Sequence, residues 1–419
     1  MRDQEPDHPA GGERRLTTRE AAELLGVKPE TVYAYVSRGQ LGSRRTPGGR
    51  GSTFDPDQVR DLARRNRRDS GAAAASGHEL AVRTRLTLIE SDRFYYRGVD
   101  AVELAARHTY EEVAEWLWTG RLRPGITFSA PESSVAVARR AVDALPEHAG
   151  PTDRLRVAAV AAAVADPLRF DLSEEAVLGT ARVLIPTLVA ALPPVLRDGT
   201  DRDPIARRLW TRLSGRPADE PTLRALDTAL SLLVDHDLAA STLAVRVAAS
   251  ARAHAYAALS AGLGVIEGPL HGAAGGLAHR MLLEVLEVGS AAPVVAEELR
   301  AGRRIPGLGH RLYPGEDPRA RALFALLEDI PRAAPALAAA RDIQATAARH
   351  APLHANVDLA LAVLTASSGM PTTAAETIFA VARTAGWIAH ALEEYGERPL
   401  RMRPSGLYSG PRPPRPLPQ

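Results

Sequence analysis

From Ala101 onward the chain is written in strong helix formers. Ala, Leu, Arg and Glu dominate, and runs of β-branched residues are short. Gly and Pro cut this text into helix-length pieces. The pieces predict helices over Val99–Ala106, Tyr110–Gly120, Glu132–Leu145, Pro151–Asp166, Ser173–Ala191, Ile205–Leu213, Glu220–Asp235 and Thr242–Ala258, with a further one running from Leu277 into Val288. Ahead of them, Thr84–Ile89 alternates weakly and can pair with Arg93–Arg97 as a hairpin. The fold expected is mainly α.

A length of 419 residues allows two or three domains with a sizeable core. The net charge of +2 gives no global field that would draw nucleic acid or a membrane. The basic residues are almost all Arg, with Lys28 the lone Lys. The absence of Cys excludes disulfides, thiolate metal sites and a thiol nucleophile. The N-terminus has no apolar stretch of a secretory signal, and no apolar run reaches the ~18 residues of a membrane span. A cytoplasmic protein with no membrane partner is expected.

A small module opens the chain after a polar segment over 1–15, expected to be disordered. Thr17 or Thr18 can cap a helix through Leu25, and Gly26 breaks it. Pro29 suits the first turn of a second helix, which runs to Arg38. Its Val32, Tyr35 and Val36 share a core face, which leaves Thr31, Tyr33, Ala34 and Arg38 outward. Leu41–Arg45 and Ser52–Phe54 flank a Pro-Gly-Gly-Arg-Gly turn as a short hairpin, and a third helix spans Pro56–Arg68. The pattern is a helix-turn-helix with a wing over 16–68, similar to the modules of the MerR and excisionase type. Arg44, Arg45 and Arg50 on the wing suit phosphates, and Tyr33 and Arg38 suit a groove. DNA is the partner this module implies; a protein-docking or oligomerisation unit is the alternative. Small residues over 69–79 form a linker, and the Pro/Arg-rich segment over 411–419 reads as a flexible tail.

Within the helical region, polar groups recur at predicted helix ends. Gly268-Pro-Leu-His-Gly-Ala-Ala-Gly-Gly276 sets His271 among small residues just before a helical pattern. A helix N-terminus offers unpaired N–H groups and partial positive charge, which keeps a nearby imidazole neutral and able to donate to an oxyanion. Three further stretches are Val234-Asp-His-Asp-Leu-Ala-Ala-Ser-Thr242, Ile305-Pro-Gly-Leu-Gly-His-Arg-Leu-Tyr313 with Asp317-Pro-Arg319, and Asn356-Val-Asp358.

With Tyr96-Arg-Gly98, Ala382-Arg-Thr-Ala-Gly-Trp387, Arg403-Pro404 and Tyr408, these stretches resemble the citrate synthase family, in one order from about Val82 to Gly410. The resemblance implies an all-helical two-domain fold over 80–410, with a large domain of 80–271 and 366–410 and a small one of 272–365. It implies condensation of an acyl-CoA, acetyl-CoA or propionyl-CoA, with oxaloacetate and water, giving citrate or 2-methylcitrate and CoA. By the same resemblance Asp358 is the base, His271 the donor to the enol oxygen and His310 the group that polarises the ketone. His236, Arg319, Arg383 and Arg403 bind oxaloacetate. Arg403 is expected to reach in from the other subunit of a homodimer, and Arg398 and Arg401 compete for that role. Pro306, Gly307, Leu308, Gly309 and Arg311 belong to a loop that covers CoA. No metal or prosthetic group is implied.

The chain departs from the family after His271-Gly272. Where an Asn is common, Gly275 stands, so a side-chain donor and acceptor are missing beside the site. A regulator that uses a synthase-like domain as a metabolite sensor is the alternative function. His254, His279, His350, His354 and His390 are expected to be structural or solvated.

Overall fold

The computed structural model describes residues 15–25, 27, 29–37, 41–45, 52–60, 62, 82–268, 271–404, 409–411 and 415. The chain divides into two compact units, Met1–Arg83 and Thr84–Gln419.

In the first unit, β1 (Leu16–Thr17), α1 (Thr18–Leu25), α2 (Pro29–Ser37), β2 (Ser43–Arg45), β3 (Ser52–Phe54) and α3 (56–60) follow in order. Thr17 closes α1 with a capping box: Glu20 Oε2 accepts the Thr17 N–H at 2.8 Å and Thr17 Oγ1 accepts that of Glu20 at 3.3 Å. The sheet order is β1-β3-β2, all antiparallel, so the wing hairpin gains a third strand from Leu16–Thr17. Arg15, assigned by composition to the disordered segment, instead donates to Thr53 Oγ1 and the Thr53 carbonyl. Ala21, Ala22, Leu25, Val32, Leu41, Phe54, Val59 and Leu62 make a separate small core, with Tyr35 and Val36 packed against it. Tyr33 and Arg44 are exposed. Arg38, Arg50 and the 69–79 linker lie outside the described residues, as does the side chain of Arg45.

The second unit begins with an antiparallel sheet of β4 (Thr87–Glu90), β5 (Arg93–Tyr96) and β6 (Val99–Asp100). Helices α4 (Ala101–Arg107), α5 (Tyr110–Thr119), α6 (Glu132–Asp143), α7 (Pro151–Ala165), α8 (Glu174–Ala191), α9 (Ile205–Leu213) and α10 (Glu220–Leu233) follow. Then come α11 (Ala240–Ser250), α12 (Ala255–Ile266), α13 (Ala274–Val288), α14 (Ala291–Arg300), α15 (Pro318–Glu328), α16 (Ala334–Ala348), α17 (Val357–Ser367) and α18 (Ala374–Tyr395). No helix among the described residues is long and apolar enough to cross a membrane.

Two predicted helices are corrected. The first loses Val99 and Asp100 to β6, because Asp100 accepts the N–H groups of Val102 and Glu103 and so caps α4. The predicted Thr242–Ala258 helix is two helices, α11 and α12. Arg252 turns left-handed at φ +62, and its guanidinium donates to the carbonyls of Glu394 and Glu397. His254 Nδ1 then accepts the Ala257 N–H and starts α12. Composition does not mark this break, since Ala and Arg dominate around it and no Gly or Pro stands there.

Helix α18 runs through the middle of this unit, packed against α5, α7, α8, α10, α11, α12, α13 and α17. It is buried nearly all round, as a helix without a polar face must be. Its alanines let neighbouring helices approach, and Trp387 fills the space over Gly262, where a Cβ would lie 3.0 Å from the indole. This packing fixes Arg383, in the middle of α18, at the bottom of the cavity described next.

Candidate active site

A cavity of about 190 Å³ is lined by His236, Ala239, His271, Gly272, Gly275, His310, Arg319, Val357, Asp358, Ala375, Phe379 and Arg383. Most of these residues sit at helix ends. His236 follows α10; Ala239 caps α11; His271 precedes α13; Arg319 and Asp358 are in the first turns of α15 and α17. Several helix N-termini therefore face one hollow, and their partial positive charge favours an anion there.

Charge in the cavity is set by two buried guanidinium groups. Arg319 donates from Nε to Asp317 Oδ1 at 3.0 Å and from a terminal nitrogen to Oδ2 at 2.8 Å, a forked pair buried at both ends. Arg383 donates from Nε to the Leu233 carbonyl at 2.8 Å and lies 4.6 Å above the Phe379 ring. No hydrogen bond holds its two terminal nitrogens among the described residues. Asp317 neutralises one cation locally, while the other keeps its donors directed at the cavity.

The three histidines are held as neutral rings. His236 is buried and its Nε2 lies 2.8 Å from the Tyr313 hydroxyl; burial, then Arg319 and Arg383, push its pKa well below the ordinary value. His271 Nε2 lies 2.7 Å from Ser241 Oγ, and burial and Arg383 lower its pKa. His310 Nδ1 accepts the Leu312 N–H at 3.1 Å, and a terminal nitrogen of Arg319 stands 3.2 Å from Nε2. Burial and Arg319 bring its pKa down to about 4. A neutral imidazole has one proton and both neighbours are donors, so only one of these contacts is a hydrogen bond at a time. With Nδ1 accepting from Leu312, the proton sits on Nε2.

Asp358 behaves in the opposite way. Its carboxylate has no hydrogen-bond donor among the described residues. Burial pushes its pKa up to about 6, against the opposing pull of Arg319. A carboxylate left without donors is a better proton acceptor.

His236, His271, His310, Arg319, Asp358 and Arg383 thus share one cavity. Arg403 does not reach it within the single chain: it is exposed on a segment pinned to the end of α11, where Leu400 N–H meets the Ser250 carbonyl. Arg398 is exposed as well, and Arg401 is paired with buried Glu394. Tyr408 lies outside the described residues. Pro306, Gly307, Leu308, Gly309 and Arg311 stand behind His310 and do not line the cavity. Gly307 has φ +80, and a Cβ there would sit 2.8 Å from that of Leu359.

Ser241, Tyr313 and Phe379 were not singled out by sequence. Ser241 and Tyr313 lie inside the motif stretches, but nothing in the text marks a hydroxyl as the partner of a distant imidazole. Of the other histidines, His279 is buried against Thr365 Oγ1 and His390 bridges Arg246 and Asp235. His254 caps α12.

Comparison with known proteins gives the family of the chain. A family model described as citrate synthase, C-terminal domain, matches residues 77–405, and one described as helix-turn-helix domain matches residues 15–67. A Mycobacterium tuberculosis protein named putative citrate synthase 2 is 33% identical over 340 residues, covering 76% of this chain and 87% of its own. A Haloferax volcanii citrate synthase is 31% identical over 359 residues, covering 79% and 94%. The crystal structure of citrate synthase from Pyrobaculum aerophilum superposes with a TM-score of 0.68 at 25% identity, over 90% of this chain and 97% of that one. From residue 77 onward this chain belongs to the citrate synthase family, enzymes that join an acyl-CoA to oxaloacetate, and it carries a helix-turn-helix segment in front.

Proposed function

We propose that Asp358 removes a proton from the carbon next to the thioester of acetyl-CoA or propionyl-CoA, while His271 donates a hydrogen bond to the enol oxygen that forms. The enol carbon attacks the ketone of oxaloacetate, and His310 donates from Nε2 to the oxygen that becomes the alcohol. Water then cleaves the thioester and releases CoA. Arg383, Arg319 and His236 hold the dianion. Each acid or base so placed contributes roughly 10²–10⁴-fold. Two neutral donors, one raised carboxylate and two guanidiniums around one cavity are the observation that supports this reading. It invokes no metal or prosthetic group.

The test follows free CoA with acetyl-CoA or propionyl-CoA and oxaloacetate. Turnover with at least one, lost in Asp358→Asn, is expected. An unaltered chain that turns over neither is not such an enzyme.

The reading extends to a cytoplasmic homodimer. Val160 and Val164, four residues apart on α7, are exposed and border an apolar groove beside α6 and α12, and Leu168 just after α7 is exposed as well. In such a homodimer another chain's Arg403 would supply the remaining oxaloacetate contact, as the resemblance implies. Val164→Glu should lower the mass measured by light scattering to that of a monomer; an unchanged mass rejects this face.

We also propose that the helix-turn-helix module contacts DNA. Its family match and the exposed Tyr33 and Arg44 support this. Closure of a small domain, 272–365, over substrate belongs to the same reading.

A further inference from the structure

His310 and Asp358 sit on different elements, and a single side chain joins their backbones. Asn356 Nδ2 donates to the Gly309 carbonyl at 2.9 Å, one residue before His310. Its Oδ1 accepts the N–H of Asp358 at 3.0 Å, which caps α17. The Asn356 N–H reaches back to the Gly307 carbonyl at 2.9 Å, and Gly309 N–H donates to the His354 carbonyl at 2.7 Å. Leu308 and Ala355 form an isolated antiparallel bridge between these contacts. The Gly-rich loop and the start of α17 are therefore laced together; among the described residues Asn356 is the side chain that bonds directly to both the loop backbone and the α17 backbone, while Asp317 holds the Val357 N–H from the side of α15.

Resting on the roles assigned above, we infer that Asn356 is a positioning residue that sets the separation between the two halves of the reaction. Asp358 faces the carbon that becomes nucleophilic, and His310 faces the carbonyl it attacks. A bond forms only when those carbons approach at the right distance and angle, and a misplacement of about 1 Å costs roughly 10²-fold. Asn suits this place because one amide supplies an acceptor for a helix N-terminus and a donor for a carbonyl on the facing loop. A serine there keeps the first function and lacks the second.

The test separates the halves. Proton removal is read as deuterium exchange into the acyl methyl of acetyl-CoA in heavy water, with malate in place of oxaloacetate so that no condensation follows. Condensation is read as kcat. In Asn356→Ser, exchange and the KM for oxaloacetate should stay within about threefold of the unaltered enzyme, while kcat falls about 10²-fold. Asn356→Asp, which has the shape of asparagine without the donor, should lose kcat as well and serves if the serine variant does not fold. A kcat within about threefold of the unaltered chain overturns the inference, and so does a parallel fall of exchange and kcat in the serine variant, which would make Asn356 a plain support for Asp358. If exchange is absent from the unaltered chain, or survives in Asp358→Asn, the underlying roles fail and this inference falls with them, whatever Asn356 does.

Discussion

Ser241 Oγ stands 2.7 Å from Nε2 of His271, and both side chains are tied to helix starts. If the hydroxyl donates, Nε2 is the acceptor and the ring proton lies on Nδ1, free to meet an enol oxygen. Ser241 thereby selects the tautomer that can act. Ser241→Ala leaves a partly buried imidazole nitrogen without its partner, which costs about 1–3 kcal/mol. We expect kcat to fall about 10–100-fold with little change in the KM for oxaloacetate. Steady-state kinetics decide this; an unchanged kcat would falsify the role of the hydroxyl.

The pH profile should have one limb near neutrality. Asp358 must be ionised to act, and its pKa lies at about 6. On the acid side kcat/KM should therefore fall about tenfold per pH unit below that value. His310, at about 4, and His236 and His271, both lowered by burial and by the guanidiniums, are neutral at and above neutral pH, so no alkaline limb should come from them. In Asp358→Glu any residual activity should show a displaced limb. A profile flat from pH 5 to 8 would rule out this carboxylate as the base.

The same shift predicts a stability effect. An unfolded aspartate titrates near 3.9, so between about pH 4 and 6 the folded chain binds more protons at Asp358 than the unfolded chain. Stability from this group is thus present below about pH 4 and lost as pH rises to about 6. Asp358→Asn removes the dependence and should be more stable than the unaltered protein by about 2–3 kcal/mol above pH 6, and by little at pH 4. Urea midpoints at the two pH values measure it. Equal midpoints throughout would show that the carboxylate is not held at a cost.

Arg383 keeps two terminal nitrogens directed at the cavity, and lysine cannot present two parallel donors. Loss of one charge-assisted hydrogen bond, about 1.5–3 kcal/mol, corresponds to roughly 10–100-fold in affinity. Arg383→Lys should raise the KM for oxaloacetate by that factor while the KM for the acyl-CoA stays put. An equal rise in both would mean that the variant disturbs the cavity as a whole.

Gly275 is fixed by its neighbour. A Cβ there would lie 2.8 Å from that of Ala375. A helical Gly→Ala change ordinarily stabilises by about 1 kcal/mol, but overpacking costs about 1–3 kcal/mol, so the clash wins. Gly275→Ala should lower the melting temperature, and Gly275→Asn more so. Pairing either with Ala375→Gly should restore much of the loss. If Gly275→Ala alone is stabilising, α13 and α18 are not in close contact there.

Much of the fold was legible because it rests on local rules. Helix formers and the Gly and Pro breaks mark α5 to α10 closely, while the cap at Asp100 starts α4 two residues later than composition alone suggests. The break between α11 and α12 was not, because Arg252 bends the chain to reach carbonyls at the far end of α18. Sequence by itself determined which residue types lie at helix ends, and its motif order named His236, His271, His310, Arg319, Asp358 and Arg383. Only tertiary structure decided their protonation. The depth of the cavity and the two guanidiniums lower the imidazoles, and the same burial, with no donor nearby, raises Asp358. Desolvation and through-space charge depend on atoms hundreds of residues away along the chain, so no local pattern encodes them.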